Sequence, residues 1–288
     1  MPNGARRPLL RRWGWCARRA LLTVCLCLLG AGAALACRAP SIAQAGKVPG
    51  TTVTWPGDPA GRSGPMAAWY ADQTNRYGHA VLGDALEPST LRLTSSVNTT
   101  SLCSAMVRLD PPHVFEDVAP RLVDLTGDGL PEVITVRSHA TQGAQLAIYA
   151  LDPEHHQLSL MATTPYIGTR FRWLAPLGAA DLDGDGAFEI AYVDRPHLAK
   201  TLRIWRFENG GLREVANLPG VTNHRIGERD IAGGIRTCNG TPEMILADAG
   251  WSALLALRFE NGQITSRVVS QDTSRPAFAR AMRCANPS

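Results

Sequence analysis

The sequence lacks the short motifs that mark several large classes of enzyme. It has no Gly-x-Ser-x-Gly elbow, no His-Glu-x-x-His pair, no Walker loop and no dinucleotide-binding fingerprint. Cys-x-x-Cys pairs and mixed Cys/His clusters are also missing, so nothing in the chain indicates zinc. Helical patterns are scarce after residue 40, and no second long apolar run indicates a further membrane span.

Acidic residues are absent from the first 36 residues, which contain six arginines and end in the apolar run 20–36. A basic segment followed by such a run is typical of an export signal. The run ends before Cys37, so it fits cleavage by a secretory peptidase and also a loose lipobox in which Cys37 is lipidated. An uncleaved anchor helix is a third alternative. We therefore expect an exported protein, either a periplasmic or outer-membrane lipoprotein or a secreted one.

The positive charge of the chain belongs to this signal. Removing its six arginines from the whole-chain formal charge of +4 leaves a mature part near −2. Nothing then argues for a nucleic-acid partner, because such partners are bound through clustered basic residues. Contact with a membrane is expected only through a lipid on Cys37.

Few cysteines remain for disulfides once the signal is set aside. The four outside it are Cys37, Cys103, Cys238 and Cys284. If Cys37 is lipidated, two of the other three can pair in an oxidising compartment, where a bridge contributes about 2–4 kcal/mol. Cys103–Cys284 and Cys238–Cys284 are both allowed by the sequence.

The mature chain divides by composition into two parts. Residues 37–65 are rich in Pro, Gly and Ala and predict a linker. Residues 66–288 predict the folded domain.

The folded part repeats itself at intervals of about 50 residues, as repeat architectures do. Hairpins are predicted at 146–158, 202–212 and 254–264, and the last two share Arg-Phe-Glu-Asn-Gly, at 206–210 and 258–262. An Asn-Gly turn between alternating strands is a strong hairpin signal. Units of about four short strands favour an all-β fold, a β-propeller of about four to five blades, over a β-sandwich with a chance duplication.

The clearest chemical signal is the loop 181–189, Asp-Leu-Asp-Gly-Asp-Gly-Ala-Phe-Glu. Its acidic side chains occupy positions 1, 3, 5 and 9, which are Asp181, Asp183, Asp185 and Glu189. Carboxylates crowded on one turn repel each other, and a hard divalent cation resolves that repulsion. Gly186 lets the chain reverse so that the carbonyl of Ala187 can join them. We predict a structural calcium ion here.

Two other interpretations of this loop are weaker. A solvated Asp/Gly turn that binds nothing does not require so regular a spacing. An EF-hand begins with the same residues, but its glutamate stands at position 12, where this chain has Tyr192. Helices should also flank an EF-hand, whereas these flanks are strand-like.

An earlier loop, 124–132, repeats the pattern with one substitution. It keeps Asp124, Asp128 and Glu132, has Thr126 at position 3, and offers Leu130 as the carbonyl donor. A threonine hydroxyl can coordinate calcium but removes one negative charge, so we predict a second, weaker ion. A third, degraded loop within 230–246 is expected to hold none.

On these residues the chain resembles the FG-GAP/VCBS repeat family, whose units carry Asp-x-Asp-x-Asp-Gly-x-x-Asp/Glu loops in integrin-α-type β-propellers. Loop 181–189 matches that motif fully, and loop 124–132 matches it with one change. The resemblance implies loop calcium and a propeller. Full members often have seven blades, for which this chain is too short. Such repeats occur in adhesion proteins and on polysaccharide enzymes, so the resemblance does not fix a function.

Two further groups of residues are candidates for contact with a ligand. His79, Asp84 and Glu87 could line a funnel if the first repeat lacks an ion. The aromatic side chains are expected mostly to pack inside the blades, and among them Trp173 is the best candidate for a surface aromatic that contacts a ligand.

The sequence thus predicts an exported, calcium-stabilised β-propeller that acts as a non-catalytic module of the cell envelope and binds a protein or a glycan. One alternative is a polysaccharide lyase or hydrolase with its site at the propeller axis. The other is a structural subunit in envelope assembly.

Overall fold

A computed structural model describes residues 46–96, 102–152, 154–155 and 157–285. The predicted export signal and the lipidation candidate Cys37 lie outside these residues. The described part consists of 18 β-strands and one α-helix. None of its helices is long and apolar enough to cross a membrane. The prediction of an all-β fold is confirmed.

The strands form four antiparallel sheets that follow one another along the chain. The first contains β1 (Val53–Trp55), β2 (Met66–Thr74), β3 (Glu87–Ser96) and β4 (Leu102–Arg108). The second contains β5 (His113–Phe115), β6 (Arg121–Val123), β7 (Glu132–His139), β8 (Gly143–Asp152) and β9 (Gln157–Thr163). The third contains β10 (Leu174–Ala180), β11 (Glu189–Asp194), β12 (Thr201–Glu208) and β13 (Gly211–Pro219). The fourth contains β14 (Val221–Thr222), β15 (Gly234–Cys238), β16 (Thr241–Asp248), β17 (Leu254–Glu260) and β18 (Gln263–Ser270).

The predicted hairpins are confirmed. The turn between β12 and β13 has Asn209 at φ 51° and Gly210 at φ 71°, and the turn between β17 and β18 repeats this with Asn261 and Gly262 at 52° and 75°. Two successive residues with positive φ give a turn whose twist matches that of antiparallel strands. The repeated pentapeptide therefore builds the same outer hairpin in the third and fourth sheets.

Apolar clusters fill the spaces between successive sheets. In β11, Ile190 packs between the second and third sheets, while its neighbour Ala191 packs between the third and fourth. Both residues are fully buried. Alternate side chains on a strand point to opposite faces, so the middle strands are apolar on both faces. Each large apolar side chain buried in this way contributes about 1.5–3 kcal/mol.

The two ends of this row of sheets differ. On the outer face of the fourth sheet, the helix α1 (Arg275–Met282) packs Phe278 and Ala281 against Ile245. On the first sheet, Met106 is 55% exposed. The helix therefore covers one end, while the first sheet leaves an apolar side chain in solvent.

The helix is fixed at both of its ends. Ser274 caps the N-terminus by accepting a hydrogen bond from the backbone N–H of Ala277. Just beyond the C-terminus, Cys284 forms a disulfide with Cys238 of β15. Of the two pairings that the sequence allows, the structure contains Cys238–Cys284.

The segment predicted as a linker, 37–65, differs from that prediction in its described portion. The strand β1 pairs with β2, and the backbone N–H of Val48 donates to the carbonyl of Tyr70. The hydroxyl of Ser63 donates to the carbonyl of Gly129. Residues 46–65 are therefore part of the folded domain, despite their Pro/Gly-rich composition. Their first half pairs with β2, and Ser63 contacts the acidic loop of the second sheet.

Candidate metal site

The loop 181–189 joins β10 to β11 and is held by its own carboxylates. Asp181 accepts hydrogen bonds from the backbone N–H groups of Gly184 (2.8 Å) and Gly186 (3.0 Å). Asp185 accepts one from Ala187 at 2.9 Å. Side chains of this type bond readily to the backbone a few residues on. Part of the acidic pattern therefore builds the turn itself.

The loop 124–132, between β6 and β7, has the same arrangement. Asp124 accepts from Gly127 (2.7 Å) and Gly129 (2.9 Å), and Asp128 accepts from Leu130 (2.7 Å). In each loop the closing glutamate accepts from the second residue: Glu132 from Leu125 at 2.7 Å, and Glu189 from Leu182 at 2.9 Å. The two predicted loops are thus the same structural unit.

The predicted ligands of loop 181–189 converge. Asp181, Asp183 and Glu189 each offer one oxygen, and these oxygens lie within 4.8 Å of one another. One buried oxygen of Asp183, Oδ1, has no hydrogen-bond partner among the described residues. Asp185 is further out, with its side chain 46% exposed. Three carboxylates that share one point are a donor set that suits calcium.

Arg206, which the sequence analysis did not single out, enters the same cluster. It lies on β12 directly opposite Glu189. Its guanidinium contacts Glu189 at 2.6 Å, Asp183 at 2.6 Å and Asp185 at 2.7 Å. Burial raises the pKa of Glu189, and the bonds from Leu182 and Arg206 oppose that effect. The signal was present in the sequence, since Arg206 opens the repeated Arg-Phe-Glu-Asn-Gly.

Loop 124–132 has no arginine at the corresponding place. Val133 lies opposite Tyr149, as Ile190 lies opposite Trp205. The next residue of β8 is Ala150, which therefore stands where the third sheet has Arg206. Within the described residues, the cation nearest to this loop is Arg62, 3.7 Å from Asp124 and already paired with Asp58 at 2.9 Å.

This difference changes the chemistry of the closing glutamate. Glu132 is 3% exposed. Burial, and then the negative charges of Asp128 and Asp124, raise its pKa to about 7. The hydroxyl of Thr126 lies 3.5 Å from Glu132. A positive charge placed beside Glu132 would therefore stabilise its ionised form.

The fourth sheet has a third buried glutamate, Glu243, and three arginines surround it. Glu243 lies opposite Arg236 and close to Arg258 and Arg267, at 2.6, 3.1 and 2.8 Å respectively. Burial acts to raise the pKa of Glu243, but the hydrogen bonds from the three arginines outweigh it and lower the pKa to about 2. No cation is expected here, in line with the degraded loop in the sequence.

Two of the predicted funnel residues line one cleft, and the third, His79, bonds to carboxylates of that cleft. Asp84 and Glu87 line a cleft of about 420 Å³. The carboxylate of Glu87 accepts hydrogen bonds from the backbone of Gly78 and His79. The ring of His79 contacts Glu116, which is 1% exposed and also accepts from Ser138. These buried groups bond to one another and connect the first and second sheets.

Trp173, the best candidate for a surface aromatic, is buried and packs in the core like the other blade aromatics. Its side chain is 2% exposed, and its indole N–H donates to the carbonyl of Glu116 at 2.7 Å. The apolar core between the second and third sheets surrounds it. A tryptophan whose N–H finds a partner is more stable in that core than in solvent.

Together these features define an all-β protein of repeated sheets with acidic turns. No protein-family profile and no curated protein matches the chain. Among solved structures, Sqt1 from Saccharomyces cerevisiae is similar, with 9% identity and a TM-score of 0.36, over 69% of this chain and 43% of that one. A candidate 6-phosphogluconolactonase from Bacteroides fragilis has 13% identity and a TM-score of 0.40, over 74% of this chain and 55% of that one. The chain thus spans about half the length of these structures.

Proposed function

We propose that this chain is an exported β-propeller of FG-GAP/VCBS-like repeats that binds a protein or a glycan without catalysis and is stabilised by calcium. Its four sheets serve as blades, and the ions are held in loops 181–189 and 124–132. The observation that carries this proposal is the convergence of Asp181, Asp183 and Glu189 on one point.

The donor chemistry supports calcium in preference to a softer ion. All the predicted side-chain ligands are oxygens, and calcium takes six to eight such ligands in irregular geometry. In loop 181–189 the ion competes with Arg206 for Asp183 and Glu189, because both cations are attracted to the same carboxylates. In loop 124–132 no strand arginine competes, but Thr126 supplies one charge fewer.

The blade interpretation is supported by the way the sheets are packed. Each sheet is an antiparallel array of four or five strands, and apolar clusters separate it from the next. Repeated sheets that bury both faces are typical of propeller blades. The helix α1 then takes the place that a further blade would have against the fourth sheet.

Export is supported by the disulfide together with the signal-like N-terminus. Cys238–Cys284 joins residues far apart in the chain. Such bridges form and persist in oxidising compartments. The proposal includes a lipid on Cys37, which places the protein at the periplasmic face of a membrane; secretion without a lipid is the alternative location.

The cleft of about 420 Å³ beside Asp84 is the candidate ligand site. Its size lies within the range of small-ligand sites. Its buried carboxylates, Glu87, Glu116 and Asp117, are all hydrogen-bonded to the protein, so the geometry favours binding over acid–base chemistry.

The decisive experiment is a thermal melt of the mature protein in calcium and in EGTA. An ion present at about 100 times its Kd stabilises by roughly 2.7 kcal/mol, which for a chain of this size shifts Tm by about 5–10 °C. Asp181→Asn should remove most of that shift. Asp152→Asn, at the exposed end of β8, is the matched control and should keep it. A melt that is the same in both buffers contradicts the proposal.

A further inference from the structure

A second cleft lies on the outer face of the fourth sheet, away from the acidic loops. It has a volume of about 550 Å³ and is bounded by β15, β18 and α1. The polar side chains that line it are Arg236, Arg267, Arg280, Asp272, Asn239 and Ser270. We call it the arginine cleft. Its volume falls in the range of sites that bind small molecules.

Positive charge is in excess around this cleft. Three guanidiniums, those of Arg236, Arg258 and Arg267, converge on the one carboxylate of Glu243. A fourth, Arg280, pairs with Asp272 at 3.2 Å. Of the three arginines that line the cleft, Arg236 and Arg267 share Glu243 and Arg280 pairs with Asp272, which leaves one positive charge without a counter-charge in this set.

Two of these arginines have donors to spare. The side chains of Arg267 and Arg280 are 55% and 44% exposed. Within the described part of the chain, each uses only its Nη2 group in hydrogen bonds to carboxylates. A guanidinium has five N–H donors in a planar fork that matches carboxylate and phosphate oxygens.

The other walls of the arginine cleft suit a small polar molecule. Asn239 and Ser270 offer amide and hydroxyl groups, and Val269, which packs with α1, offers an apolar surface. The C-terminal end of α1, near Cys284, lies at the same cleft, and its carbonyls disfavour an anion. That end carries only about half a negative charge, so the surplus arginine charge outweighs it.

The site is also held in shape before any ligand arrives. Cys238 and Cys284, joined by the disulfide, both line the cleft. Arg236 is 8% exposed and bonds both to Glu243 and to the carbonyl of Ala281. A wall fixed in this way loses little conformational entropy when a ligand binds.

We infer that the arginine cleft binds a small organic oxyanion, a carboxylate or phosphate carried on a molecule of sugar size. The surplus guanidinium donors of Arg267 and Arg280 hold the anion, and the neutral walls contact the rest of the molecule. This site is separate from the calcium loops, so anion binding here is expected to be independent of calcium binding.

The test is isothermal titration calorimetry of the mature protein with four probes. Galacturonate carries the carboxylate, glucose 6-phosphate carries the phosphate, galactose is the neutral counterpart, and inorganic phosphate is the bare anion. We expect heat from at least one of the two charged sugars and none from galactose. The preference between the two charged sugars identifies the anion.

Variants connect that heat to the arginine cleft. Arg267→Gln and Arg280→Gln should each weaken binding about tenfold or more, since each removes a charge-assisted hydrogen bond. Arg213→Gln is the matched control, because Arg213 is 57% exposed and pairs with Glu208 on the third sheet. Circular dichroism of each variant verifies that it is folded.

Three results overturn the inference. The first is no heat from either charged sugar at millimolar concentration with the folded wild type. The second is an equal loss of binding in Arg213→Gln, which means that the anion responds to overall charge. The third is inorganic phosphate binding as tightly as glucose 6-phosphate, which removes the organic part of the ligand from recognition.

Discussion

The second and third sheets begin their middle strands with the same acidic turn but neutralise it differently. Both turns use their first and fifth residues to bind backbone N–H groups, and both end in a buried glutamate. In the third sheet, Arg206 faces Glu189 from the neighbouring strand. In the second sheet, Ala150 stands at that place, and Glu132 has a raised pKa.

The difference separates two tasks that the acidic motif combines. The spacing of aspartates and glycines folds the turn, and this is accomplished in both sheets. Neutralising the closing glutamate depends instead on the strand that follows, which has Arg206 in the third sheet and Ala150 in the second. The fourth sheet extends the series, because Glu243 has three arginines around it and a pKa of about 2.

The largest expected effect comes from removing the arginine of the third sheet. Arg206→Met leaves the fully buried Glu189 without its cation, and breaking a buried ion pair from one side costs about 3 kcal/mol or more. We expect that loss in urea unfolding with EGTA present. Because a calcium ion can replace the lost charge, most of the stability should return when calcium is added.

Two outcomes would break the comparison. If Arg206→Met unfolds like the wild type in EGTA, the guanidinium is not the counter-charge of this turn. If calcium restores nothing, the carboxylates do not take the ion once the arginine is gone. Arg213→Met, in an exposed pair with Glu208 on the same sheet, should change little in either buffer.

The second-largest effect is expected at Glu243 of the fourth sheet, where stability should depend on pH. The pKa of Glu243 falls from its ordinary 4.5 to about 2 in the folded state. A lowered pKa contributes stability that is fully present above pH 4.5 and is lost as the pH falls toward 2. A shift of this size on a side chain that is 1% exposed corresponds to roughly 3 kcal/mol.

The measurement is the difference in unfolding free energy between the wild type and Glu243→Gln, followed from about pH 5 down to about pH 2. That difference should shrink steadily as the pH falls. Glu208→Gln, which removes an exposed carboxylate paired with Arg213, should show little pH-dependent difference. If the difference in unfolding free energy between the wild type and Glu243→Gln stays constant with pH, the ionised form of Glu243 is not what stabilises the arginine cluster.

Much of this architecture could be predicted from the sequence. The Asn-Gly turns fixed the hairpins at 209–210 and 261–262, and the Asp/Gly loops marked the starts of β7 and β11. These signals are local, since a turn depends on residues that are neighbours in the chain. The role of residues 46–65 was missed, because backbone pairing with a strand leaves no compositional trace.

The surroundings of the acidic loops were harder to predict. Crowded carboxylates suggested a missing cation, yet Arg206 lies 17 residues beyond Glu189 and meets it only through the register of β11 and β12. The burial of Trp173 could not be predicted for a similar reason. The partner of its N–H, the carbonyl of Glu116, comes from another sheet. Cross-strand and cross-sheet contacts follow from the fold and are not visible in a linear motif.

The smallest effect, and the sharpest test of the comparison, comes from giving the second sheet the arginine of the third. In Ala150→Arg the new guanidinium should reach Glu132 and stabilise the protein in EGTA by about 1 kcal/mol. It should also weaken calcium binding at loop 124–132, since both cations seek the same carboxylates. Ala150→Gln matches the added length without charge and should do neither. If Ala150→Arg binds calcium as the wild type does, arginine and calcium are not alternatives at this turn.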